Sequence, residues 1–188
     1  MRPVNSRNRM KADIVADMER LNAMAVDAKP LTWTRRLGLY LRPEILALAL
    51  YRHAHYHYLS KRWSLATFFY RLNLLVTGAD IHPRSTIGPG CVLVHTIGFI
   101  FDGSIGKNAT IFGHCIVQPA FRNGSWSESP VLGDNCTLCL QSSVIGNISV
   151  ANSVTLAAFV YLDHSVHESD TTVGLSQTPQ TKIYTRKI

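Results

Sequence analysis

The sequence predicts a triangular parallel β-solenoid with a helical cap at its N-terminal end, and three observations predict it. From Ile81 onward every sixth residue is apolar: Ile87, Leu93, Phe99, Ile105, Ile111 and Val117 follow without a slip. A strand alternates with period two and a helix face repeats about every 3.6 residues, so a strict six belongs to neither alone and marks a repeat. The position four after each is mostly compact or β-branched (Ser85, Cys91, Ile97, Gly103, Ala109, Cys115), so two side chains per hexad point into a narrow prism. The ladder then resumes at Leu132 and runs through Leu138, Val144, Val150, Leu156 and Leu162, with Cys136, Ser142, Ile148, Val154, Val160 and Val166 in the fifth places. Thirteen hexads make about four coils of three short strands. The fifteen residues from Val117 to Leu132 are not a multiple of six, so 119–131, rich in Pro, Gly, Ser and Asn and carrying Trp126, leaves the coil as a protruding loop.

The elements ahead of the repeat read as helices. Lys11 to Val26 places Ile14, Val15, Met18 and Leu21 at helical intervals with Asp13, Asp17 and Glu19 opposite, and Lys29–Pro30 ends it. Thr34 to Tyr40 is a short helix stopped before Pro43. That proline suits the first turn of a longer helix reaching about Leu59. A further helix covers about Ser64 to Leu75, and Gly78 closes it. His53, His55 and His57 alternate on the long helix, so they cannot converge on one metal and are packing or surface histidines. The chain divides into a helical cap over 1–78, the solenoid over 79–169 and a C-terminal tail over 170–188.

Composition narrows the classes. A hydrophobic content of 46% in 188 residues is ample for a core. No apolar run approaches the roughly 18 residues of a membrane span, and nothing near Met1 has the apolar centre of a signal peptide, so the expectation is a cytoplasmic protein. Three of the four cysteines, Cys91, Cys115 and Cys136, take fifth positions and read as reduced core residues; the single Cys136–Cys139 pair is weak grounds for zinc, and no metal is expected. Residues 1–76 hold thirteen Lys and Arg against five acids, whereas 77–188 hold six against seven. The basic cap could meet an anionic membrane surface peripherally, although a solvated helical face is the plainer reading. No nucleic-acid module is present, so no nucleic-acid partner is expected.

With these residues in view, the chain resembles the serine acetyltransferases of cysteine biosynthesis, and more closely their relatives that O-acetylate exopolysaccharides. The resemblance rests on Ala79-Asp80-Ile81-His82-Pro83, on Ile87-Gly88-Pro89-Gly90, and on His95 followed by Gly98, with Tyr51-Arg52 and His55 matching the cap's last helices loosely. It covers most of the chain from about residue 35. It implies an all-β left-handed parallel β-helix (hexapeptide repeat) with an N-terminal α-helical cap. It also implies a homotrimer with active sites between neighbouring solenoids, in some members paired into a dimer of trimers through the cap. The catalytic histidine and its aspartate fall on His95 and Asp80, and the donor is acetyl-CoA.

The chemistry fits those residue types. A hydroxyl is too weak an acid to attack a thioester unaided at neutral pH, and a positioned imidazole removing its proton gives about 10² to 10⁴ in rate. Asp80, fifteen residues before His95 and so near the same corner one coil away, would accept the other ring N–H and fix the tautomer. Gly98 and the protruding loop are candidate oxyanion donors. His114, one coil and one residue beyond His95, is a candidate contact to acceptor or cofactor, and Lys182, Arg186 and Lys187 are candidates for the phosphates of CoA.

Against the serine acetyltransferase pattern, Val94 stands where an Asp precedes the histidine, Asp102 and Gly103 stand where a Gly-Glu pair and a two-residue bulge are expected, and the loop Asn123 to Pro130 has no histidine. These departures, together with an aromatic loop whose indole could stack on a sugar, favour a saccharide acceptor bound by Trp126, Asn123 and Asp102. L-serine is the alternative acceptor. Two other readings compete: a zinc enzyme like the γ-class carbonic anhydrases, which lacks its paired histidines here, and a non-catalytic trimeric scaffold.

Overall fold

A computed structural model describes residues 7–26 and 28–174. The cap is four helices. α1 (Arg7–Ala23) starts one turn earlier than its apolar spacing indicated. The Thr32 hydroxyl accepts from the Arg35 N–H and caps α2 (Trp33–Tyr40). Pro43 opens α3 (Pro43–Leu59) at its first turn, and Gly78, at φ 72°, closes α4 (Trp63–Thr77) in the left-handed conformation that suits glycine.

Three parallel sheets then wind around one axis. The first coil is β1 (Asp80–Ile81), β2 (Thr86–Ile87) and β3 (Val92–Leu93); the second is β4 (Ile100–Phe101), β5 (Ser104–Ile105) and β6 (Thr110–Ile111). β7 (Ile116–Gln118) leads into a hairpin of β8 (Phe121–Arg122) and β9 (Ser125–Trp126), after which β10 (Val131–Leu132) and β11 (Thr137–Leu138) complete the third coil. The fourth is β12 (Ser143–Ile145), β13 (Ser149–Val150) and β14 (Thr155–Leu156). Then follow β15 (Tyr161–Leu162), a bridge from Val166 to Val150, and β16 (Thr172–Val173), so pairing runs past residue 169. Every third strand stacks on the same face, in the orders β1-β4-β7-β12-β15, β2-β5-β10-β13 and β3-β6-β11-β14-β16. Short strands joined by corners let each backbone N–H find a carbonyl one coil away, and a continuous apolar column from Ala47, Leu48 and Tyr51 of α3 down to Leu162 fills the prism.

The register corrects the hexad reading at two places: at the end Val166, read as a fifth position, pairs with Val150, and near the start the count slips. Ile81 pairs with Phe101, Ile87 with Ile105 and Leu93 with Ile111. The step from Leu93 to Phe101 is therefore eight residues and that from Phe101 to Ile105 only four. An insertion of two and a deletion of two cancel, so the count by sixes landed on Phe99, which is buried, and then ran on undisturbed. Ile97 is displaced by the insertion: it is 68% exposed rather than inside the prism. The corner that carries His95 is thus expanded, where the hexads had appeared to pass through unaltered.

The protruding loop is more ordered than its composition suggested. Phe121 pairs with Trp126 and Arg122 with Ser125 across a two-residue turn, with Asn123 at φ 52° and Gly124 at φ 78°. An Asn-Gly pair flanked by residues able to pair is the standard signal for such a turn. All four cysteines are free thiols. Burial pushes the thiol of Cys91 up to about 12 and raises those of Cys115 and Cys136, as suits reduced core residues.

Candidate active site

His95 lies on the expanded corner between β3 and β4, with its side chain exposed. Gly113 lies beside it: a Cβ built there would come 3.1 Å from the Cβ of His95. The corner is fastened to the cap, because the Thr96 hydroxyl donates to the Thr77 carbonyl at the end of α4 (2.7 Å). His114, at φ 57°, stands on the next coil at the same corner. Its N–H donates to the Ile97 carbonyl (3.3 Å), and its ring lies over Gly98, where any Cβ would overlap Nδ1. Gly98 also has φ 69°, so both backbone and space demand glycine there. His95 and His114 thus occupy neighbouring coils of one corner, His95 beside Gly113 and His114 over Gly98.

Asp80 begins β1 immediately after α4, and its N–H donates to the Phe99 carbonyl (2.8 Å), which sets it beside the same corner. Its carboxylate, however, is not hydrogen-bonded to His95 in this structure. Instead Oδ1 accepts from the Tyr70 hydroxyl of α4 at 2.7 Å. Tyr70 is half-buried, and its phenol is pushed up to about 12, first by burial and then by the bond to Asp80, so it is a neutral donor over the working range of an enzyme. Sequence reasoning missed Tyr70, because a tyrosine in an amphipathic helix looks like packing.

Outward from Asp80 a row of polar groups follows the register one position beyond Ile81, Phe101 and Val117: His82, Asp102 and Gln118. Burial lowers the pKa of His82, and Asp102 opposes that shift. The Nδ1 of His82 accepts from the Arg84 N–H at 3.1 Å, which makes it a turn residue. Asp102 is held by Arg84, with Nε at 2.7 Å and Nη2 alongside. Together with Gln118, Trp126 and Glu128, this pair lines a cleft between the solenoid and the hairpin. Asp102 and Trp126 are therefore brought together. Asn123 is not, since it forms the hairpin turn. Lys182, Arg186 and Lys187 lie outside the described residues. Among the described residues, no group of three His, Cys, Asp or Glu side chains is placed to hold a metal ion.

The family-pattern residues of the cap act as a clamp. The Tyr51 hydroxyl donates to the Ser85 carbonyl and accepts from the Ile87 N–H (2.8 and 3.0 Å). Arg52 pairs with buried Asp17 through Nε and Nη2 (2.6 and 2.9 Å) and donates to the Ile87 and Gly88 carbonyls. His55 Nδ1 meets the Pro83 carbonyl at 2.9 Å, while His53 and His57 stack on Phe69.

With this geometry established, comparison with known proteins supplies the relatives. No family model matches the chain. Serine acetyltransferases do: that of Synechococcus elongatus is 27% identical over 138 residues (71% of this chain, 55% of the relative). That of Staphylococcus epidermidis is 30% identical over 128 residues (65% and 58%), and that of Helicobacter pylori 28% over 146 (77% and 85%). Among solved structures, the Neisseria gonorrhoeae serine acetyltransferase superposes with a TM-score of 0.77 at 25% identity, covering 90% of this chain and 65% of that one. An Entamoeba histolytica serine acetyltransferase isoform in complex with cysteine gives 0.78 at 20%, covering 95% and 62%. The chain spans between half and three-fifths of the first curated relatives it matches.

The fold is therefore a hexapeptide-repeat left-handed β-helix with a helical cap. Within that class, the curated proteins to which the chain is similar are serine acetyltransferases. This overturns the expected saccharide acceptor and, with it, a place in polysaccharide biosynthesis, because the relatives found by sequence and by structure are serine acetyltransferases. The structure adds that Asn123 is committed to a left-handed turn position at the hairpin tip, outside the cleft that Asp102 and Trp126 line, so the three do not form one site.

Proposed function

We propose that the chain is an acetyl-CoA-dependent O-acetyltransferase whose acceptor is the hydroxyl of L-serine. The observation that carries this reading is the corner where Asp80, the expanded His95 turn and His114 meet, in a fold whose relatives are serine acetyltransferases. His95 removes the serine proton as the oxygen attacks the thioester carbonyl. The tetrahedral intermediate collapses with loss of the CoA thiolate, which takes the proton back from the imidazolium, leaving O-acetylserine and CoA. The carboxylate of Asp80 holds the ring in the tautomer that presents a free nitrogen and steadies the imidazolium as it forms. The working unit is a homotrimer. Exposed apolar side chains on α4 (Phe68, Leu75, Val76) and Ile97 beside the site support such an assembly.

Release of thiol from acetyl-CoA, with and without L-serine, tests the reading directly. Serine-dependent release is expected, and its replacement by Ala at His95 should cut kcat at least about a hundredfold while CoA still raises the melting temperature. Release no faster with serine than with water would refute the acceptor. Near-normal turnover in the His95→Ala variant would refute the base.

A further inference from the structure

Asp80 leaves a question that the dyad alone does not answer: what aims its carboxylate. It sits on a two-residue strand at the very start of the solenoid, with no coil above it, only the C-terminal turn of α4. A half-buried carboxylate there has two side-chain torsions to be fixed. The hydrogen bond in the structure goes from the Tyr70 hydroxyl to Oδ1, leaving the acceptor sites of Oδ2 open to a second donor. Tyr70 is itself fixed. It is half-buried on α4, its ring stands 6.1 Å from that of His82, and one turn further on Asn73 is anchored by its amide donating to the Ala47 carbonyl (3.0 Å). The same helix end receives the Thr96 hydroxyl next to His95. One helix thus touches Asp80 directly and, through Thr96, the residue next to His95.

We propose that Tyr70 is a positioning residue: by holding Oδ1 of Asp80 it directs Oδ2 toward the ring N–H of His95. This rests on the proposed acyl-transfer reading, and the cap thereby contributes to catalysis through geometry, without touching the substrate. Removal of the hydroxyl leaves Asp80 able to rotate away, so the imidazole spends part of its time in unproductive orientations. The loss falls on turnover and not on donor binding.

A double-mutant cycle on the full chain tests this, with acetyl-CoA and L-serine as substrates. Tyr70→Phe should lower kcat about tenfold with the KM for acetyl-CoA within about twofold of wild type. In an Asp80→Asn background the same change should cost less than about twofold, because the group it acts through is already gone. An equal loss in both backgrounds, or none in the wild type, would overturn the proposal; a purely structural tyrosine gives the equal loss. Should Tyr70→Phe fold poorly, 4-aminophenylalanine at position 70 keeps the ring and a donor. Turnover within about threefold of wild type is expected there, and failure of that rescue in a folded protein also counts against the idea. These outcomes are separable from the function itself, which stands or falls on serine-dependent thiol release and on His95→Ala.

Discussion

The cap and the solenoid are held together by opposite means. In the solenoid each coil repeats the contacts of the one before: an apolar pair points inward, and the backbone of one coil bonds to the next, as in Val131 N–H to Ile148 C=O and Thr137 N–H to Val154 C=O (2.9 Å each). The cap instead reaches the first coils through a handful of directional bonds between residues far apart in sequence. Arg20 donates to the carbonyls of Gly90 and Ala109 and to the Thr110 hydroxyl, and Asp17 accepts from the Cys91 N–H at 2.9 Å. Where energy is spread over many equivalent contacts, one change is felt locally; where it is concentrated in a buried ion pair, one change is felt everywhere. The candidate active site lies on the seam between the two, with Tyr70 and Thr77 from the cap and Asp80 and His95 from the coil.

The sharpest way to break that contrast is at Arg52. Its side chain is 5% exposed and that of Asp17 only 1%, so Arg52→Met strands a carboxylate out of water. Removing one partner of such a pair costs about 3–5 kcal/mol. Urea unfolding should show that loss, while the double variant Asp17→Leu with Arg52→Met should recover part of it, because no fully buried charge then remains; Asp13, a second partner of Arg52 at 3.5 Å, is 22% exposed and stays solvated, and the Cys91 N–H loses its acceptor. Equal instability of the single and double variants would mean that the bonds from Arg52 to the Ile87 and Gly88 carbonyls, and not the ion pair, hold the seam.

The same contrast explains what could be read from the sequence. The hexads were legible because the prism admits only certain side-chain sizes, so geometry is written at a fixed period. They concealed the corner at His95 because eight plus four equals twice six: the ladder counted residues, whereas Ile81 pairs with Phe101 and Phe101 with Val117. The His95–Asp80 spacing was visible from the resemblance. Tyr70 was not, since its partner is reached only once α4 ends at Gly78 and the chain turns into β1. The clamp residues Tyr51, Arg52 and His55 likewise act across about thirty positions and Arg20 across seventy to ninety, and no local pattern records such bonds. The Asn123-Gly124 pair is a local turn signal, but the polar residues around it carry no alternation to mark the strands it joins.

Within the solenoid the expected penalty is smaller and local. Gly88, Gly106 and Gly133 stack at one corner, and a Cβ on Gly88 would lie 2.5 Å from both the Gly106 carbonyl carbon and the Lys107 nitrogen, with only backbone to yield. Overpacking of this sort costs about 1–3 kcal/mol. Gly88→Ala should lower the unfolding free energy by that amount, and amide exchange should quicken in the first two coils while the coils around Leu138 to Leu162 stay protected. Uniform loss of protection would show that the coils unfold as one cooperative unit.

The mildest test uses acid, to which the seam should respond more than the coils do. Burial lowers the pKa of His55 from its ordinary 6.5, with its bond to the Pro83 carbonyl opposing the shift, and burial lowers those of His53 and His57 as well. A histidine with a depressed folded pKa binds fewer protons folded than unfolded, so its contribution is intact above about 6.5 and is lost as the pH falls below that value. Stability measured by urea unfolding should therefore decline between about pH 7 and pH 5. His55→Gln, which keeps a donor near Pro83 but cannot take up a proton, should flatten that decline. If the slope survives in His55→Gln, the acid response belongs to His53 and His57 inside the cap or to His82 at the start of the coil, whose pKa burial also lowers, and His82→Gln separates the two.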